Sequence, residues 1–267
     1  MTFEGSLTHE RYCTELLAET AALRAILHKS DLSATVPTCP DWSLTDLVLH
    51  VGGAHRWAGA LVAARATENI DMATLPGIEG PADVTPDTLD AWLAEGVDET
   101  VRELRAAGPD AAVWTWSPVQ RAGFWARRMT HETLIHRADA ALTAGVDFAA
   151  DPEVAADCVE EWLQLCAMPA LAERLAAKGE PLFGPGRSIH LHATDTSPEL
   201  NAEWFLDLSG DRLVHRRGHE KAAVALRGPL TEVLRVFYRR LPADSELVEI
   251  VGDRALLDLW LEYATFG

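Results

Sequence analysis

The apolar residues of this chain change their repeat part-way along it. Up to about residue 178 they recur every three or four positions; beyond Gly184 they alternate or gather in short β-branched runs. A helix returns to the same face every 3.6 residues and a strand every two. A chain written first in one period and then in the other builds a helical part followed by a mixed part, rather than alternating βαβ units.

In the first part, Tyr12, Leu16, Leu23 and Leu27 predict a helix from Thr8 to about His28. Pro37 and Pro40 interrupt the chain. Ser43 then caps a helix from Leu44 to about Ala66, with Asp46 standing where a capping box usually has Glu. Gly52 and Gly53 in its interior cost about 1 kcal/mol each relative to Ala, which predicts close approach of another backbone. Beyond the loop LPGIEGPADVTP, the stripe Leu89, Trp92, Leu93, Val97, Val101 and Leu104 predicts a third helix from Asp87 to about Ala107. The aromatic stretch VWTWSPVQ leads into a fourth helix over about Ala122 to Ala144, and a fifth runs from about Pro152 to Lys178 with a kink at Pro169.

In the second part, SIHLHAT, EWFLDLS, RLVHRR, AAVALRG and ELVEIVG read as strands, and Pro229 to Arg240 and Asp253 to Thr265 as helices. The expected fold class is α+β: a helical bundle over residues 1–180, a linker near Gly179 to Gly186, and a smaller α+β domain over 187–267.

Charge narrows the partners. Lys and Arg total 23 against 41 Asp and Glu, a net charge of −18. Such a surface repels phosphate backbones and anionic lipid heads, which argues against nucleic acid and membrane. Arg121, Arg127 and Arg128 form the densest basic cluster, either an anion patch or partners of nearby carboxylates. The N-terminal stretch lacks the pattern of a signal peptide and no run of apolar residues is long enough to span a bilayer, so a cytoplasmic protein is expected. The four cysteines show no CxxC spacing; Cys158 and Cys166 on one helix would be about 12 Å apart, too far to bridge. Such usage suits a reducing compartment. Cys39, in a Pro-flanked loop, is either a reactive thiol or, the simpler reading, a buried inert one.

The run RRMTHETLIHRADA carries the chemistry. Residues four apart on a helix differ by about 40° around the axis, so Glu132 and His136 project side by side and can chelate one ion. Arg128 and Asp139 extend the same face. His131 diverges from His136 by about 140°, so the spacing is not the HExxH of zincins. A third ligand must come from elsewhere, and His50 is the best donor, with apolar neighbours that favour its burial; His55 points about 140° away from it. Asp46 could orient His50 or only cap the helix. An ordinary helix-surface hydrogen bond between Glu132 and His136 is the simpler alternative.

These residues carry a resemblance. The Cys-Pro-Asp-Trp-Ser loop at Cys39 to Ser43, followed by DLVLHVGGAHRW and GFWARRMTHETLIHRADA, resembles the mycothiol-dependent maleylpyruvate isomerase family. That resemblance implies a DinB-like four-helix bundle followed by an α+β domain, and zinc or another divalent metal on His50, Glu132 and His136. It further implies mycothiol as cofactor or co-substrate, held as a thiolate by the metal for isomerisation of, or sulfur transfer to, a small electrophile. Arg128 and Arg227 are candidates for carboxylate contacts, Arg128 at the reacting centre and Arg227 with Trp125 in cofactor binding. Two alternatives stay open: a metal-dependent hydrolase, and a non-catalytic metal-stabilised binding or regulatory module.

Other groups invite two readings. His190 and His192 alternate on a strand and, with His215 and His219, could form a second metal site; solvated strand histidines are the simpler reading. Trp114, Trp116 and Trp125 suit either a substrate pocket or packing between the two parts, and Trp42 and Trp57 read as core.

Overall fold

The computed structural model describes residues 5–168 and 182–264, which divide into two compact units at Phe148/Ala149. The first unit is a bundle of α1 (His9–Leu27), α2 (Leu44–Ala63), α3 (Pro86–Ala107) and α4 (Ala122–Ala144). α1 packs on α3 and α4, and α2 on α3 and α4. The core between α1, α2 and α3 holds Leu23, Leu27, Leu47, Val51, Leu89 and Leu93, all fully buried, the stripes that the 3.6-residue repeat marked.

Local signals set the ends of these helices. Thr8 caps α1 through its side chain. Ser43 and Asp46 form a reciprocal capping box at the start of α2, with the Asp46 carboxylate accepting from the Ser43 amide at 2.9 Å. α2 stops at Ala63 rather than near Ala66, because Arg65 turns left-handed (φ 48°). What approaches Gly52 is a side chain and not a backbone: a Cβ there would lie 2.1 Å from the Trp92 ring, while Gly53 has only ordinary contact with Ile78. Between α1 and α2, β1 (Thr35–Val36) and β2 (Cys39–Ser43) form a short antiparallel hairpin that packs on α2 and α4.

The second unit holds α5 (Pro152–Cys166), a five-stranded sheet, α6 (Leu230–Phe237) and α7 (Arg254–Tyr263). The strands are β3 (Ser188–Ala193), β4 (Glu203–Asp207), β5 (Val214–Arg217), β6 (Val224–Gly228) and β7 (Glu249–Gly252). Their order is β5-β4-β3-β6-β7; β3 and β6 run parallel and the other neighbours antiparallel. Ile189, Leu191, Trp204, Leu206, Val224 and Leu226 share one face and are fully buried, as strand alternation requires when one face meets a core. α6 and α7 pack against the sheet, and α5 against α6.

Thus the fifth helix, grouped with the bundle in the 1–180 division drawn from sequence, clusters with the sheet unit. α5 ends at Cys166, ahead of Pro169; the kink expected at Pro169 lies outside the described residues. No helix among the described residues is long and apolar enough to cross a membrane.

Candidate metal centre

α4 and α2 bring three donors together. The Glu132 Oε1 lies 3.0 Å from the His50 Nε2 and 3.3 Å from the His136 Nε2, and the ligand atoms of all three residues fall within 4.8 Å of one another. Glu132 and His136 share a face of α4 because four residues separate them; His50 reaches them from α2, which crosses α4.

His50 is not buried as its neighbours suggested: its side chain is 38% exposed, against 10% for His136. Residues adjacent in sequence are about 100° apart on a helix, so buried Leu47, Val48 and Val51 place His50 at the rim of the apolar stripe. The exposure leaves one side of the cluster open to solvent.

The surrounding residues orient the donors. The His136 Nδ1 donates to the Asp139 Oδ2 (3.0 Å), and the other Asp139 oxygen accepts from the Thr38 hydroxyl (2.6 Å), a residue of the turn between β1 and β2. The Asp139 bond keeps a proton on Nδ1, so a cation arriving at the cluster displaces the proton on Nε2 and meets that nitrogen's lone pair. Arg128 donates to the Glu132 Oε2 at 2.7 Å. Burial alone would raise the Glu132 carboxyl, yet the Arg128 charge and the bonds from His136 and His50 outweigh it and hold the group well below the usual range. Burial opposes protonation of His136, but Asp139 and Glu132 more than compensate and raise it to about 9. Trp42, half-buried, sets its ring against both imidazoles, with centroids 4.8 Å from His50 and 5.9 Å from His136.

The remaining candidates lie elsewhere or have other partners. Trp125 is fully buried, donates its indole N–H to the Trp114 carbonyl (2.9 Å) and packs edge-on against Trp57 and Phe124, so it presents no surface to a cofactor. Trp114 and Trp116 belong to the same aromatic cluster within the bundle. Arg227 sits on β6 of the other unit and pairs with Glu249 across the strands at 2.7 Å. Arg128 is turned to Glu132 and Arg121 to Asp110. His55 is fully buried and bonds the Thr133 hydroxyl at 2.8 Å; burial pushes it down to about 3, so it is neutral and faces away from the cluster. His131 is buried edge-on to Tyr12. Asp46 serves the helix cap and not His50.

Two orienting residues lay beyond the sequence reading of the site. Thr38 comes from a hairpin turn that helical spacing does not reach, and Trp42, on β2, packs against the core as read and also sets its ring against the donors. Asp139 carried a usable signal, being three residues after His136 on the same helix face.

Comparison with known proteins sorts the chain. Residues 13–141 match the family model described as mycothiol maleylpyruvate isomerase N-terminal domain, and residues 153–259 match that of the C-terminal domain of the same family. The chain belongs to the mycothiol-dependent maleylpyruvate isomerase family. Among solved structures it is similar to a crystal structure of the mycothiol-dependent maleylpyruvate isomerase, with a TM-score of 0.58 at 16% identity over 94% of this chain and 95% of that one. A histidine-to-alanine mutant of a mycothiol-dependent maleylpyruvate isomerase gives 0.55 at 18% identity over the same shares. At such identities the likeness speaks for the fold. A search of curated proteins gave no match.

Proposed function

We propose that this chain is a divalent-metal enzyme that uses a small thiol, mycothiol, to isomerise a small unsaturated acid of the maleylpyruvate class. The observation that carries the reading is the convergence of the His50, Glu132 and His136 donor atoms from two helices, with one side of the cluster open.

The residues suit a zinc-type ion. Two imidazoles and one carboxylate are a recurrent catalytic zinc set, and a carboxylate behind a ligating imidazole, as Asp139 stands behind His136, is its usual support. When bound there, the cation supplies positive charge that lowers the pKa of a thiol placed at the open position. The chain's own residues do the rest. Asp139 keeps the His136 proton on Nδ1, and Thr38 keeps Asp139 in place. Arg128 holds Glu132 ionised and leaves a cation's charge only partly neutralised. Trp42 walls the histidines on one side and limits water.

The reaction class follows from thiol chemistry. Sulfur adds to the activated cis double bond, the new single bond rotates, and loss of the same sulfur returns the thiol with the trans product. No electrons are gained or lost overall. A hydrolase reading is weaker, because both carboxylates at the cluster already have duties: Glu132 in the donor set and Asp139 on His136.

The test is turnover of maleylpyruvate by the zinc-loaded protein with and without mycothiol. Isomerisation that requires both zinc and thiol supports the reading. Thiol-independent hydrolysis of ester or amide substrates, or zinc binding with no thiol effect on any electrophile, overturns it.

A further inference from the structure

The sheet unit gathers a second set of donors, with a geometry distinct from the first. His190 and His192 are two apart on β3 and so share a face, and Glu203 on β4 stands directly across from His192 in the antiparallel register. The fourth member arrives through a turn. β5 ends at Arg217, and Gly218, at φ +147°, bends the chain while its amide donates to the Glu203 carbonyl at 3.0 Å. That bond fixes His219 over the same carboxylate.

All three imidazoles aim at one oxygen. The Glu203 Oε2 lies 2.8 Å from the His190 Nε2, 2.7 Å from the His219 Nδ1 and 3.3 Å from the His192 Nδ1. Ring centroids are 5.1 Å apart for His190 and His219 and 5.4 Å for each of the other two pairs. A carboxylate oxygen has two lone pairs, so three imidazoles crowding it exceed what it can accept in good geometry. Three nitrogens and a carboxylate converging on one point are, however, a complete ligand set for a borderline divalent cation. The four ligand atoms lie within 4.8 Å of one another; around an ion at about 2.0–2.1 Å they would stand roughly 3.4 Å apart, which moves the Glu203 oxygen outward from its present contacts.

His215, the other histidine of this region, takes no part. It points to the opposite face, where its Nε2 meets the Glu160 Oε1 of α5 at 2.9 Å.

We propose that His190, His192, Glu203 and His219 form a second, closed divalent-cation site of zinc type, which fastens the segment after β5 to β3 and β4. Four protein ligands leave no open position, so the site is structural rather than catalytic. It shares no residue with the bundle cluster and stands or falls separately from the function proposed there.

Zinc itself is the probe, measured on tag-free protein stripped with chelator, reloaded and desalted. The wild type is expected to retain two equivalents, and His136→Ala and His219→Ala one each. Their double variant retains none. His219 is 71% exposed, so its replacement leaves the fold intact. A second readout is thermal stability: zinc should raise the Tm of His136→Ala but not of the double variant. If His219→Ala retains as much zinc as the wild type, or if zinc leaves the Tm of His136→Ala unmoved, the second site is refuted. If the wild type holds one equivalent that survives His136→Ala but not His219→Ala, the sheet site stands and the bundle reading fails.

Discussion

In the bundle, two donors sit on consecutive turns of one helix and only His50 comes from another element, whereas on the sheet the donors come from two strands and a turn. The bundle set has three members with supporting contacts from Asp139, Thr38 and Arg128; the sheet set has four members, three imidazoles gathered on one carboxylate. On the two proposals made above, similar ligand chemistry would serve two ends. A three-donor set held from behind would keep a position for chemistry, and a four-donor set would spend every position on holding the chain together.

Removing one bundle donor is expected to separate the two clusters most. His136→Ala is expected to abolish zinc retention at the bundle and all thiol-dependent turnover, while His131→Ala keeps both and loses stability, since that ring is buried against Tyr12. Metal analysis with activity decides; equal zinc loss from both variants would mean that the wrong face of α4 has been assigned.

Asp139→Asn attacks the support and not the ligand. Zinc affinity at the bundle should fall about 10- to 100-fold by chelator competition, with the zinc of the sheet site unchanged. An unchanged bundle affinity would show that Asp139 serves only Thr38.

Acid separates the units by different groups. His55, neutral in the bundle with its pKa down at about 3 against an ordinary 6.5, binds no proton that the unfolded chain would take up. Its contribution is therefore complete above about pH 6.5 and is lost as pH falls toward 3. Burial would raise Glu160 in the sheet unit, but His215 and Arg217 overcome that and bring it to about 2. Its contribution is complete above about pH 4.5 and is lost only below that. In denaturant titrations the stability gap between wild type and His55→Gln should change by about 2 kcal/mol from pH 7 to 5. The gap to Glu160→Gln should instead narrow as pH falls below about 4.5, and a gap that held unchanged down to about pH 2.5 would defeat the assignment.

The smallest effect sharpens the role of Asp46. Ser43→Ala should cost about 1 kcal/mol of stability through the lost cap and leave zinc affinity at the bundle as it was. A drop in affinity would return Asp46 to the support of His50.

Repeat and local chemistry made most of the fold legible. The fourth helix was readable end to end from its sequence, and the capping box at Ser43 and Asp46 formed as written, because both depend on neighbours within a few residues. Gly52 announced a close approach, but in place of the backbone expected there stands the Trp92 ring, forty residues on, and helical spacing carries no information at that range. The domain border moved for a like reason. α5 continues the helical period, and only packing against α6 assigns it to the sheet unit.

The sequence by itself determined the pairing of Glu132 with His136, the strand alternation of His190 with His192, and the change of architecture between the two parts, since each follows from a fixed number of residues per turn or per pleat. The tertiary structure alone decided that His50 sits at an exposed rim, that Trp125 is sealed in an aromatic cluster, and that His219 but not His215 joins the sheet histidines. Those outcomes depend on which elements pack together and how a chain leaves a turn, and such long-range contacts leave no periodic mark in the residues that make them.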